Sequence, residues 1–156
     1  LRALPFTVVA LAACHGTDQV APDGVAANCG DNAPVVADLV VEESEPFTIG
    51  DEQVPGIFLN TVVTDADGDL HWYELRLYWD DQVDGSVATD GFYYEAYGAR
   101  GDLDCGVEQT EVAVRIAASG APPAGRTVEF GVVVYDDMEH ASGDGAPFVV
   151  EFDVPE

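Results

Sequence analysis

The chain of 156 residues contains no lysine, and arginine supplies all five of its basic residues against 30 aspartates and glutamates, for a formal net charge of −25. A surface so poor in cations repels phosphate backbones and anionic headgroups, which excludes nucleic acid and acidic lipid as partners. Histidine and cysteine are scarce, with three of each. His15, His71 and His140 stand at no zinc-ligand spacing from Cys14, Cys29 or Cys105, so a structural zinc site is set aside. There is no G-x-S-x-G elbow, no H-E-x-x-H pair and no glycine-rich phosphate loop, which speaks against an enzyme. No apolar run approaches the roughly 20 residues of a membrane-spanning helix. No helical period is sustained either. What remains plentiful is aspartate, which attracts divalent cations, and short apolar alternation broken by 16 glycines and nine prolines.

Arg2 is followed by the apolar run from Ala3 to Ala13 and then by Cys14. A charged residue, a short apolar segment and small residues before a cut read as an export signal. Leu11-Ala12-Ala13-Cys14 resembles the bacterial lipobox. The resemblance implies cleavage before Cys14, acylation of that residue and residence in the bacterial cell envelope, and His15 after it favours the outer membrane. The expected division is a signal peptide over 1–13, a lipidated Cys14 and flexible tether over 14–31, and one domain over 32–156. If Cys14 carries lipid, Cys29 and Cys105 remain, and an even remainder in an oxidising compartment is expected to pair. Closing a loop of that length stabilises by roughly 4 kcal/mol in the chain-entropy account.

Seven segments of the remaining chain alternate apolar and polar residues: Val35–Glu42, Ile57–Thr64, Leu70–Trp79, Phe92–Tyr97, Val107–Ala117, Arg126–Tyr135 and Pro147–Val154. Their phase assigns the buried faces. Tyr73, Leu75, Leu77 and Trp79 point inward and Trp72, Glu74, Arg76 and Tyr78 outward. Val112, Val114 and Ile116 face in, as do Val128, Phe130, Val132 and Val134, and Phe148, Val150, Phe152 and Val154. Period-two alternation with one polar face marks a half-solvated antiparallel sheet. Seven such strands predict an all-β, immunoglobulin-like antiparallel sandwich.

In that topology the acidic motifs gather at one end. Asp31-Asn32-Ala33-Pro34 stands at the entry, Asp65-Ala66-Asp67-Gly68-Asp69 in the second turn, Asp102 and Asp104 before the fifth strand, and Asp136-Asp137 after the sixth. Alternate carboxylates around a glycine can supply the oxygen ligands that Ca²⁺ requires. Asp31–Pro34 resembles the D-N-A-P linker of cadherins, and Asp65–Asp69 is similar to the D-A-D-G-D turn of bacterial cadherin-like modules. The resemblance implies Ca²⁺ held by Asn32, Asp65, Asp67 and Asp136, with Asp69 and Asp31 standing behind them. The cadherin glutamate motifs L-D-R-E and P-E-N-E are not found, so such a site is expected to be half-formed, with an affinity of about 10⁻⁴–10⁻³ M. The expected function is a lipid-anchored binding or adhesion module for an unknown protein or glycan. The alternative is a carbohydrate-binding module whose outward aromatics, Trp72 and Tyr78 first and Tyr93 and Tyr97 beside them, meet sugar rings.

Overall fold

The computed structural model describes residues 29–91, 93–99, 105–117 and 125–154. The signal segment 1–13, Cys14, the tether up to residue 28, Phe92, Asp102 and Asp104 lie outside the described residues. Strands β1 (Val35–Ile49), β2 (Glu52–Thr64), β3 (Trp72–Asp80), β4 (Tyr94–Ala99), β5 (Gln109–Ala117), β6 (Thr127–Tyr135) and β7 (Phe148–Asp153) form two antiparallel sheets. Their orders are β1-β2-β5 and β4-β3-β6-β7. The expected sandwich of seven strands is therefore present. One strand departs from the constant-type immunoglobulin distribution, in which the fourth strand joins the sheet of the second and fifth. Here β4 pairs with β3, in register Arg76↔Glu95.

Alternation determines the core between the sheets. Leu75, Leu77, Val112, Ile116, Val128, Phe130, Val132 and Val134 are all buried there, with Tyr73, Trp79, Val114 and Val150 packed against them. Phe130 meets Phe152 edge-on at 5.9 Å, and burial of each such ring contributes about 1.5–3 kcal/mol. Phe148 departs from its expected inward role and is exposed.

The outer face of the larger sheet is covered where the sequence predicts solvent. Tyr78 is only 3% exposed and packs with Val87 and Val133. Gly131, opposite Tyr78 in register, leaves the space for this cover: a Cβ there would stand 2.8 Å from Pro147 Cβ and 3.2 Å from Val87 Cβ. Tyr78 lies on the outward side as expected, but its expected role as an aromatic open to a sugar ring is corrected, because the loop after β3 and the segment before β7 fold back over it.

β1 and β2 run further than their alternation suggests, meeting in a hairpin at Gly50-Asp51. Arg115 of β5 fastens that hairpin: Nε donates to Ser44 Oγ at 3.1 Å and the guanidinium lies 4.4 Å from the Phe47 ring centre.

Candidate metal centre

Strand order brings the entry segment, the β2–β3 turn, the segment before β5 and the β6–β7 turn to one end. Cys29 and Cys105 are joined there in a disulfide with Cα atoms 5.5 Å apart. The β2–β3 turn is stapled to the segment beyond Cys105. Gly68 O accepts the N–H groups of Gly106 and Val107, both at 2.8 Å, and Asp65 N–H donates to Glu108 O at 2.9 Å. Gly68 is required at this crossing, because its φ is +75° and a Cβ would stand 2.7 Å from Gly106 N.

Within the turn the three aspartates take different directions. Asp65 Oδ1 accepts the N–H groups of Asp67 at 2.7 Å and Gly68 at 3.1 Å. That local closure, usual for an aspartate opening a turn, sends Asp67 toward the entry segment. There it accepts hydrogen bonds from both the backbone and the side-chain amide of Asn32. Asp69 turns the other way, into the protein, and its backbone bridges to Val107. From the opposite side Asp136 is wrapped by its own turn: Oδ1 accepts the N–H groups of Met138 at 2.8 Å and His140 at 2.9 Å, and Oδ2 lies 3.0 Å from His140 Nδ1.

The outcome is a buried triad. Ligand oxygens of Asp65, Asp69 and Asp136 all lie within 4.8 Å of one another. Exposure of these residues is 3%, 0% and 0% respectively. Asp65 Oδ2 and both carboxylate oxygens of Asp69 are buried without a hydrogen-bond partner. Desolvation pushes the Asp69 carboxyl up from 3.8 to about 7, the nearby charges of Asp136 and Asp65 push it the same way, and so does a hydrogen bond between the protonated carboxyl and Asp65, so that the oxygens are left unpartnered when both groups are ionised. Buried charge of one sign, left unpaired, costs several kcal/mol. His71 adds a buried imidazole beside the cluster, its Nε2 3.2 Å from Asp137 Oδ2 but off the direction of a hydrogen bond.

These positions revise the expected ligand set. Asp65, Asp69 and Asp136 converge; Asn32 and Asp67 clamp each other outside the triad; Asp31 is exposed. The orphaned oxygens fit a hard cation, and they belong to one domain with no second repeat needed to bring the carboxylates together. The resemblance of Asp65-Ala66-Asp67 to the cadherin D-A-D motif ranks Asp67 above Asp69, and the closure by Asp65 reverses that order.

On the outer face, Trp72 and Tyr97 form a tilted pair with centroids 6.2 Å apart, and Tyr97 is 54% exposed. Glu74 and Arg76 pair beside them, with the Arg76 guanidinium 4.6 Å from the Tyr135 ring centre. Tyr93 is not part of this surface: it packs against the core and its hydroxyl donates to Ala117 O at 3.2 Å. Comparison of the chain with protein-family models and with curated proteins finds no match.

Proposed function

We propose that this chain is an exported binding or adhesion module, tethered through Cys14 to the bacterial cell envelope at the outer membrane, whose sandwich is stabilised by Ca²⁺ at its acidic pole. The observation that carries the reading is the meeting of Asp65, Asp69 and Asp136 in a buried site with three oxygens that lack partners. Residues Asp65, Asp69 and Asp136 would hold the ion, and the ion would supply the positive charge that no side chain in the triad provides. The turn 65–69, gripped by Asn32 and by the disulfide-linked segment, holds the oxygens in place before an ion arrives. The disulfide itself favours an oxidising, extracytoplasmic compartment, in keeping with the lipobox-like Leu11–Cys14.

Thermal melting of the full chain tests the metal reading. Millimolar Ca²⁺ should raise the melting temperature by a few degrees, since an ion at about a tenfold excess over Kd stabilises by about 1.4 kcal/mol. Mg²⁺ should do less because it sheds water reluctantly, and Na⁺ at matched ionic strength less again. Equal shifts from Ca²⁺ and Na⁺ would refute the site. Intact-mass measurement tests the anchor: a mature chain with a free Cys14 thiol would remove it.

The second reading, a carbohydrate-binding module, is favoured by the Trp72–Tyr97 pair beside Glu74 and Arg76. A glycan array with Trp72→Ala as control decides it; binding that is absent, or that the substitution leaves unchanged, counts against it.

A further inference from the structure

We propose that the loop leaving β3 holds a second hard divalent cation, of the Ca²⁺ class, between Asp80, Gln82, Asp84 and Glu129, at the end of the sandwich away from the triad. This inference does not rest on the acidic-pole reading.

Glu129 is the starting point. It lies in β6 on the covered outer face and is 2% exposed. Its Oε1 accepts the N–H of Gly85 at 2.7 Å, which aims the carboxylate at the loop, while Oε2 is buried with no partner. The register sets Glu129 directly between Asp80 of β3 and Glu151 of β7. Like charges opposite one another in a sheet are destabilising. Arg126, one strand-end away, is drawn instead to Asp81 at 3.8 Å. A buried carboxylate in a row of carboxylates therefore lacks a counter-charge.

Over it passes Asp80-Asp81-Gln82-Val83-Asp84-Gly85-Ser86. Oxygen-bearing side chains at the first, third and fifth places, followed by glycine, match the opening of the EF-hand calcium loop, with glutamine at the third place. Gly85 takes the sharp bend at φ +84°. Asp80 Oδ1 accepts the N–H of Gln82 at 2.7 Å, and Asp84 Oδ1 accepts Ser86 N–H at 3.0 Å and its hydroxyl at 2.7 Å. The loop thus anchors one oxygen of each aspartate. An EF-hand loop is closed by a glutamate at its twelfth place. Here that place is Gly91, and Glu129 from the neighbouring strand fills the role. Among the described residues only the Asp65 triad is drawn together within 4.8 Å. Ion binding at the second site accordingly pulls the loop onto Glu129, and its affinity falls in the weaker class of about 10⁻⁴–10⁻³ M.

Calorimetric titration of the full chain with Ca²⁺ tests this, in the wild type and in Asp69→Asn. The Asp69→Asn chain should keep one binding event. Adding Asp84→Asn or Glu129→Gln should weaken that event by about tenfold or more, because affinity follows the ligand charge. Asp84 is exposed, so its variant decides the matter if Glu129→Gln fails to fold. The proposal is overturned if Asp69→Asn binds no Ca²⁺, or if Asp84→Asn leaves the remaining event unchanged. Conversely, binding that is indifferent to Asp69→Asn but lost with Asp84→Asn would sink the triad and leave this site standing.

Discussion

Replacing Asp69 by asparagine should stabilise the cation-free protein at alkaline pH. The Asp69 carboxyl is raised from 3.8 to about 7 by desolvation and by the charges of Asp136 and Asp65. Each unit corresponds to about 1.4 kcal/mol, so ionising Asp69 in the fold costs at most about 4 kcal/mol. The sign follows from proton counting. Between about pH 4 and about pH 7 the folded protein holds a proton that the unfolded chain has released. This group therefore stabilises the fold fully at low pH, and that contribution is lost as pH rises through about 7. Asparagine removes the ionisation, and its amide brings donors into the neighbourhood of the Asp65 and Asp136 carboxylates, whose oxygens lie within 4.8 Å. Allowing for imperfect pairing of that amide, at about 1–3 kcal/mol, the net gain is roughly 1–3 kcal/mol, or a few degrees of melting temperature per kcal/mol. Thermal melts in chelator at about pH 5 and about pH 9 measure it. The gain should appear at the higher pH and vanish at the lower, and Ca²⁺ should then raise the wild type more than the variant, which keeps only the site at Glu129. A variant less stable than wild type at about pH 9, or a shift that ignores pH, would refute mutual repulsion as the dominant force at the triad.

The disulfide spans 76 positions, so Cys29→Ser with Cys105→Ser should lower stability by about 2–5 kcal/mol in denaturant titration. The same pair of changes should weaken any Ca²⁺ response, because the bridge holds the segments that grip turn 65–69. Gly131→Ala should cost about 1–3 kcal/mol by overpacking, since the new methyl meets Pro147 and Val87; an unchanged melt would mean that the cover over Tyr78 yields freely.

Period-two phase made most of the fold legible. The inward faces of β3, β5 and β6 follow directly from Leu75 and Leu77, Val112 and Ile116, and Val128, Phe130, Val132 and Val134. Boundaries were less legible where acidic residues, Pro46 and Pro55 interrupt the pattern: the β1–β2 hairpin continues to Gly50-Asp51 because backbone pairing and Arg115 carry it past them. The outward face of β3 misled because alternation reports which side a residue takes and not what later folds over that side; Tyr78 lies on the expected side, under Val87. The disulfide followed from counting cysteines. Of the acidic pole, its location was legible and its geometry was not. Asp65, Asp67 and Asp69 are chemically identical in sequence, and the separation of Asp67 from the other two depends on two amide hydrogen bonds to Asp65 Oδ1.

Among the described residues, β1 is an edge of the three-stranded sheet, paired with β2. An unpaired edge is a template on which another chain can add a strand, by fibril growth or exchange of segments. β1 is the longest strand, yet its register breaks twice, between Val36 and Asp38 and between Ser44 and Phe47. Such bulges twist an edge out of line, and Pro46, at the second break, has no N–H to offer an incoming strand. Asp38, Glu42, Glu43 and Glu45 are exposed along the same strand. Copies crowded side by side therefore meet a kinked, negatively charged margin at this edge, which resists the addition of a strand there.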